Sequence, residues 1–340
     1  MATSTDTSPA LDRELESYRR ELTAYCYRML GSGFEAEDAV QETFVRAWRN
    51  FDRFEGRSTL RSWLYKIATN VCLDMLQGPQ RRARPMDMGP AGTAESVLGA
   101  PLTESAWVLP IPDSRTLPDD GDPAELAAQR ETLRLAFVAA LQHLPPRQRA
   151  VLILREVLRW QATEVAELLG MTVASVNSAL QRARATIDQL DIDASGPAVL
   201  EGEEQELLSR YVDYFERYDI ESLVTLIAED AEFSMPPFDL WLRGTPEIAK
   251  WYLGQGAGCE DSRMIATRAN GCAAFAQYKP AGDGAREPWA LQVVEISDGK
   301  ISGLHHWIPP FAAQLFEQFG LPLRLEGDVP YSSDSASSSS

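Results

Sequence analysis

Apolar and polar residues alternate with a helical period over most of the first half of the chain. Three such segments lie between residues 12 and 84, and they stop at glycines such as Gly31 and Gly78. Helical periodicity resumes at residue 123 and, after a break at Pro145-Pro146, continues to residue 190. The pattern therefore predicts two all-α domains, 12–84 and 123–190.

The pattern changes after residue 203. The segment "EEQELLSRYVDYFERYDIESLV" predicts two helices, and later segments alternate as strands do, with a hairpin turn at Asp298-Gly299. An α+β domain is therefore expected over 203–325. Residues 85–122 are rich in Pro, Gly, Ser and Asp without sustained periodicity and are predicted to be a flexible linker, while 326–340 reads as a disordered tail.

The segment "EVAELLGMTVASVNSALQRARATI" predicts two helices around a tight turn, with Gly170 ending the first helix and Thr172 capping the second. Val176 and Leu180 point inward, which leaves small, amide and arginine side chains outward. Such a layout is typical of a helix-turn-helix, whose second helix enters the major groove of DNA. An ordinary helical hairpin with a solvated polar face is the alternative. The outward positions are Thr172, Ala174, Ser175, Asn177, Ser178, Gln181, Arg182 and Arg184.

The formal net charge of the 340-residue chain is -18, which is unexpected for a protein that binds a polyanion. Most of this acidic excess lies after residue 195, whereas within residues 145–185 six arginines face three glutamates. The predicted helix-turn-helix is therefore locally basic, and the acidity belongs to the C-terminal domain.

Several classes of protein are disfavoured by what the sequence lacks. There is no run of about 18 apolar residues, and the N-terminus does not have the order of a signal peptide, so a cytoplasmic protein without membrane contact is expected. Its four cysteines are far apart and form no CxxC pair, which argues against zinc and disulfides. With no glycine-rich phosphate loop and no clustered metal ligands, no cofactor or metal is expected.

Two further segments carry a family resemblance. "DAVQETFVRAWRNFDRFEGRSTLRSWLYKIATNVCLDML" and "LPPRQRAVLILREVLRWQATEVAELLGMTVASVNSALQRAR" resemble the two conserved domains of extracytoplasmic-function RNA polymerase sigma factors, in the family's order. The resemblance implies that domain two (12–84) binds core polymerase and opens the minus-ten element, and that domain four (123–190) reads the minus-thirty-five element. Implied partners are promoter DNA and the clamp and flap regions of core RNA polymerase.

The resemblance also implies roles for individual residues. Those expected to bind polymerase are Asp38, Gln41, Glu42, Phe44 and Arg46. Those expected at the minus-ten DNA, where aromatic and arginine side chains hold an unstacked base, are Phe54, Arg57, Ser58, Thr59, Arg61, Asn70, Arg81 and Arg82. Gly78-Pro79 stands where many members of that family continue a basic helix, so the last turn of this helix departs from the family's pattern.

Residues 203–320 resemble the SnoaL-like fold, a curved sheet wrapped by helices around a conical pocket, as found in a sigma factor subgroup that includes the SigG type. Six residues are candidates for lining a small-molecule pocket: Phe233, Trp241, Trp251, Phe275, Trp289 and His306. Aromatic residues on strands more often fill a core than line a cavity. We therefore expect this domain to have a regulatory or ligand-sensing role rather than a catalytic one.

Two other classes of function compete with a sigma factor. One is a SnoaL-like isomerase or hydrolase fused to a DNA-targeting module, with Asp230, Asp239, His305 and His306 as candidate acid–base groups. The other is a repressor that acts without polymerase. A repressor has no use for a clamp-binding helix and a strand-trapping loop, so the paired motifs favour a sigma factor that is not itself an enzyme.

Overall fold

The computed structural model describes residues 8–54, 56, 58–78, 81–190 and 201–326. The chain divides into two compact units. The first contains Met1–Arg82 and Asp113–Ile192, and the second contains Ala83–Pro112 and Asp193–Ser340. Of the predicted tail, residues 327–340 lie outside the described residues, as do Arg57 and the connection 191–200.

Domain two consists of four helices, namely α1 (Ser8–Ser17), α2 (Arg19–Leu30), α3 (Gly33–Asn50) and α4 (Leu60–Met75). Gly31, with φ of 74°, ends α2 in the left-handed conformation that glycine adopts without strain. The N-terminal ends of α3 and α4 are capped by Ser32 and Thr59, whose hydroxyls accept the backbone N–H of the third following residue. Local capping thus fixes where each helix begins.

Domain four contains α5 (Pro123–Glu131), α6 (Leu135–Leu141), α7 (Pro146–Leu152), α8 (Ala162–Leu169) and α9 (Val173–Asp188). Helix α7 continues into a π-helical turn, Ile153–Val157. The chain then passes through Arg159, whose φ is 57°, before α8 begins. Helix α9 packs against both α7 and α8, and α8 with α9 forms the helix-turn-helix arrangement that the sequence predicts.

The second unit is an α+β domain with a curved sheet. Its helices are α10 (Glu201–Glu216), α11 (Ile220–Thr225), α12 (Thr245–Leu253) and α13 (Phe311–Gln318). Its strands are β1 (Ile227–Ser234), β2 (Trp241–Arg243), β3 (Arg263–Ala269), β4 (Cys272–Pro280), β5 (Ala285–Ser297), β6 (Lys300–Trp307) and β7 (Leu325–Glu326). The strand order is β2-β1-β6-β5-β4-β3, with β7 beside β5.

Pairing within the sheet is antiparallel except between β1 and β6. Ser297 lies opposite Lys300, so the predicted Asp298-Gly299 hairpin joins β5 and β6. Helices α10, α11 and α12 contribute to one buried cluster with the sheet, which includes Tyr211, Phe233 and Trp251. The predicted fold class, two all-α domains followed by an α+β SnoaL-like domain, is confirmed.

The segment predicted to be a flexible linker differs most from expectation. Ala83–Pro112, here called the strap, belongs to the second unit, although Met1–Arg82 precedes it in the first. The strap closes on itself because Ala83 donates its N–H to Ala106 and accepts the N–H of Val108. Its apolar run "WVLPIP" is buried. Exposing an apolar run of this length to water is unfavourable, and its burial explains why the segment is ordered.

Hydrogen bonds join the strap to the α+β domain. Gly92 donates its N–H to the Trp241 carbonyl (2.8 Å), and the indole of Trp241 donates to Gly89 (2.8 Å). At the end of the strap, Ile111 donates its N–H to the Asn270 side chain (3.0 Å). The remainder of the predicted linker, from Asp113, belongs to the first unit.

Candidate DNA- and polymerase-binding surfaces

The predicted polymerase-binding residues lie on α3, and they differ in exposure and in whether they form ion pairs. Asp38 and Gln41 are exposed. Arg46 donates to Glu42 (2.7 Å) and to Asp74 on α4 (3.2 Å), and the Glu42 hydrogen bond is the main reason that the pKa of Arg46 is raised. Asp38 and Gln41 are therefore free to meet a partner, whereas Arg46 is paired with Glu42 within α3 and links α3 to Asp74 on α4.

An apolar groove adjoins this surface. It encloses about 460 Å³ and includes Phe44 together with two strongly exposed apolar residues, Val45 (41%) and Trp48 (56%). The Arg19 guanidinium lies 5.0 Å from the Phe44 ring centroid. Exposed aromatic side chains in a groove are typical of protein interfaces. Trp48 is not among the residues predicted to bind polymerase, although its position on the apolar stripe of α3 could have indicated this role.

The predicted minus-ten region contains an aromatic cluster between α3 and α4. The Phe54 ring lies 5.0 Å from that of Trp63 and 6.1 Å from that of Phe51. Thr59 is exposed, and its hydroxyl accepts the N–H of Ser62 (3.1 Å). The cluster holds Phe54 half-buried at the edge of the domain.

The remaining predicted minus-ten residues are distributed unevenly. Asn70 and Arg81 are exposed, and Ser58 is half-buried. Arg82 is buried (6% exposed) and forms an ion pair with Glu35, so it does not face solvent. Arg61 forms an ion pair with Glu21 (3.0 Å) and lies against two aromatic rings.

Helix α9 presents all eight predicted minus-thirty-five positions on its exposed side. Thr172 caps the helix by accepting the N–H of Ser175 (3.1 Å), and Gly170 ends α8 with φ of 62°. Val176, Ala179, Leu180 and Ala183 are buried. Arg184 forms an ion pair with Glu156 (2.6 Å). The helix therefore has one packed face and one continuous polar face that carries two arginines.

In the α+β domain the six candidate pocket residues separate. Phe233, Trp251 and Phe275 belong to the buried core cluster, whereas Trp241 is bonded to the strap. Trp289 is half-buried with the Lys279 ammonium 3.3 Å from its ring centroid.

The sixth pocket candidate, His306, is almost fully buried, with its ring 4.9 Å from that of Phe233. Burial, reinforced by the adjacent His305, lowers the pKa of His306 to about 3. The candidate acid–base groups do not share one environment, because Asp230 and Asp239 are exposed while both histidines are buried.

A buried polar chain crosses the core of this domain, and sequence reasoning did not find it. Tyr211 donates to Gln292 (2.7 Å), Gln292 to Gln277 (2.9 Å), and Gln277 to Ser262 (2.8 Å). Each acceptor also donates onward, so the chain is satisfied within the protein and the polar groups are buried at low cost. Its glutamines lie on strands, where no pattern separates a satisfied core amide from a surface residue.

Comparison with known proteins adds the decisive observation. Residues 15–82 match Sigma-70 region 2, and residues 134–187 match Sigma-70, region 4. The chain is 43% identical, over 90% of its length and 82% of the relative's, to the ECF RNA polymerase sigma factor SigG of Mycobacterium tuberculosis. This chain belongs to the extracytoplasmic-function sigma factor family. As a sigma factor, it binds core RNA polymerase, recognises promoter DNA and promotes transcription initiation.

The similarity to a further relative, SigJ, covers most of the chain in both sequence and structure. SigJ of Mycobacterium tuberculosis is 26% identical over 86% of this chain and 89% of its own. The crystal structure of SigJ superimposes with a TM-score of 0.57 at 23% identity, covering 92% of this sigma factor and 99% of SigJ. The shared fold therefore includes the C-terminal domain. Among the helices that the structure describes, none is long and apolar enough to span a bilayer.

Proposed function

We propose that this sigma factor divides its work among three surfaces. Asp38, Gln41 and the adjoining apolar groove bind the polymerase clamp. The aromatic cluster at Phe54, with Thr59 and Asn70, holds the opened minus-ten strand. The exposed face of α9 reads the minus-thirty-five element. The observation that carries this assignment is α9, whose predicted DNA-binding positions are exposed while its apolar positions are buried.

We further propose that the domain boundaries are functional ones, with domain two at 12–84, domain four at 123–190 and the SnoaL-like domain at 203–325. The SnoaL-like domain regulates rather than catalyses, and the protein acts in the cytoplasm with polymerase. Its candidate acid–base groups are divided between exposed and buried positions, and its candidate aromatic residues mostly fill the core. The strap supports regulation, because it is bonded to this domain while connecting the two DNA-reading domains in sequence.

In vitro transcription tests the function as a whole. Core polymerase with the full-length chain should transcribe members of a promoter library that core polymerase alone does not. If no member is transcribed while the chain still binds core polymerase, promoter recognition as proposed is refuted. Turnover of a small molecule by the full chain would instead favour the enzyme alternative.

Replacing Asp38 and Gln41 by Ala should weaken binding to core polymerase by about tenfold, because both side chains are exposed at the centre of the proposed contact. Exposed polar changes cost little stability, so the fold should persist. Binding is measured by titrating labelled variant with core polymerase. Glu125→Ala, an exposed change on α5, is the matched control, and equal affinity of both variants would exclude this surface.

Replacing Arg182 and Arg184 by Ala should weaken promoter binding by the holoenzyme and flatten its dependence on salt. Each lost phosphate contact lowers the slope of log affinity against log salt concentration by roughly 1. Arg184 shares its charge with Glu156, so the single change Arg182→Ala should have the larger effect. A salt series on one duplex measures both slopes, and unchanged slopes would remove α9 from the interface.

A further inference from the structure

Lys279 differs from the other three lysines of the chain in its surroundings. Lys66, Lys250 and Lys300 are exposed, whereas Lys279 is half-buried near the end of β4. Its ammonium lies 3.3 Å from the ring centroid of Trp289 on β5, which is a close cation–π contact. The four lysines therefore allow a comparison within one protein, in which Lys279 is the amine held against an aromatic ring.

The charge of Lys279 is not balanced by a neighbouring carboxylate. Among the described residues, no carboxylate lies within ion-pair distance of its ammonium. Glu287 is directly opposite Lys279 in the register of β4 and β5, a position at which opposite charges commonly interact. Glu287 is nevertheless exposed, and the lysine lies on the indole of Trp289 instead. The side chain of Lys279 thus favours the aromatic contact over an available ion pair.

These surroundings favour the neutral amine. Desolvation by burial lowers the pKa of Lys279 below its ordinary value, and the nearby Cys259 acts in the opposite direction without cancelling this shift. Lys250 shows the contrasting case, because its hydrogen bond to Glu247 (2.9 Å) raises its pKa. An amine is nucleophilic only when it is neutral, and a lysine in apolar surroundings without a carboxylate is the arrangement that activates it.

Space for a small molecule adjoins the amine. Gly258 belongs to the 3-10 turn Gln255–Cys259 and is exposed. A side-chain carbon at this glycine would lie 3.7 Å from the Lys279 nitrogen, which is the one described atom outside the adjoining residues within 4 Å of that position. The missing side chain therefore leaves the amine open to approach, beside the partly accessible ring of Trp289.

We propose that Lys279 is a nucleophilic lysine that binds a small carbonyl compound covalently, with an aromatic group of that compound packed on Trp289. The amine nitrogen adds to the carbonyl carbon, and the resulting carbinolamine loses water to form an imine. Both hydrogens of the neutral amine leave with the carbonyl oxygen, so the step needs no oxidant or reductant. Once protonated, the imine is a cation, and the indole that now contacts the ammonium stabilises it in the same way.

Reductive labelling of the full-length protein tests the site. Benzaldehyde is added at pH 7 with cyanoborohydride, whose hydride converts each imine into a stable secondary amine. Peptide mapping by mass spectrometry then gives a rate for each of the four lysines. Lys279 should react about tenfold faster than Lys66 or Lys250, since an aromatic contact alone accounts for a factor of up to about ten. Propionaldehyde, which has no ring, should show a smaller preference for Lys279.

A matched variant tests the role of the indole. Trp289→Leu keeps an apolar side chain and should remove the preference of Lys279 for benzaldehyde over propionaldehyde, while the rates at Lys66 and Lys250 stay the same. The comparison among the lysines needs no substitution, so it decides the matter even if Trp289→Leu does not fold. Labelling of Lys279 no faster than that of Lys66, or the same aldehyde preference at both residues, overturns the site.

The effect of the imine on transcription rests on the regulatory function proposed for the SnoaL-like domain, whereas the covalent chemistry does not. Labelled protein, freed of reagent, is combined with core polymerase and a promoter. Transcript yield should change by about fivefold, a typical size for coupling between two sites. Lys279→Arg keeps a cation beside Trp289 but forms no imine, so the same treatment should leave its yield unchanged. Selective labelling of Lys279 with unchanged yield would support the site and count against the proposed regulation.

Discussion

Ending the chain after Leu190 should make the strap sensitive to proteases, while the helices of domains two and four stay protected. The strap forms hydrogen bonds with residues that this truncation removes. Besides the bonds of Gly92 and Ile111, Ala94 donates its N–H to Glu247 (2.8 Å) and Leu102 donates to the carbonyl of Pro237 (2.9 Å). At about 1 kcal/mol for each bond, the cost of opening the strap falls by several kcal/mol.

Limited proteolysis followed by mass spectrometry measures the effect. Cleavage within residues 83–112 should accelerate by on the order of a hundredfold in the truncated chain, because the rate follows the population of the opened segment. Glu247→Ala in the full-length chain should give a smaller increase in the rate of cleavage. Glu247→Gln keeps an acceptor for the Ala94 N–H and should leave the rate unchanged. Equal strap cleavage in full-length and truncated chains would show that residues 193–340 do not hold it.

This result bears on the regulatory role proposed for the C-terminal domain. A change in activity on truncation would not by itself show that an inhibitor had been removed. Here the truncation also removes the support of the strap that connects domain two with domain four. The Ala94 N–H is the main reason that the pKa of Glu247 lies below its usual range. Only a variant that weakens docking without deletion, such as Glu247→Ala, separates loss of the domain from loss of strap order.

The helical domains could be predicted from sequence because their signals are local. Glycine at the end of α2, hydroxyl caps at Ser32 and Thr59, and the apolar stripe of α9 each act within one or two turns. The exposed face of α9 then follows from its period alone. Residues whose state depends on distant partners, such as Arg82 beside Glu35, could not be placed this way.

The strap and the α+β core were harder to predict, for one shared reason. The composition of residues 85–122 is that of a linker, and its order comes from partners more than 100 residues away, such as Asn270 for Ile111. Likewise, aromatic residues on strands give the same pattern whether they line a cavity or fill one. In Phe233 and Phe275 that choice is made by helices α10–α12, which contribute to the same buried cluster. Periodicity predicts the local structure of a segment but not which distant residues pack against it.

The stability of the α+β domain should fall steeply as the pH drops below neutrality, and His306→Phe should remove much of that fall. Burial lowers the pKa of His306 from 6.5 to about 3 in the folded protein. Between these values the unfolded chain binds a proton that the folded chain does not, so the free energy of unfolding decreases as the pH falls. The stabilisation is complete above about pH 6.5 and is lost progressively toward pH 3. At pH 5 the loss is about 2 kcal/mol.

Phenylalanine is close in size to histidine and would keep the ring contact with Phe233, and the polar chain through Gln292 and Gln277 does not include the imidazole. Urea unfolding at pH 7.5 and pH 5 gives the pH-dependent difference for each protein, which cancels any uniform change in stability caused by the substitution. The carboxylates titrate alike in both proteins, so the variant should lose less stability by about 2 kcal/mol. NMR of the His306 ring provides an independent check, since its signals should not shift between pH 7.5 and pH 5. A ring that titrates near pH 6.5, or equal losses in both proteins, would contradict a neutral buried His306.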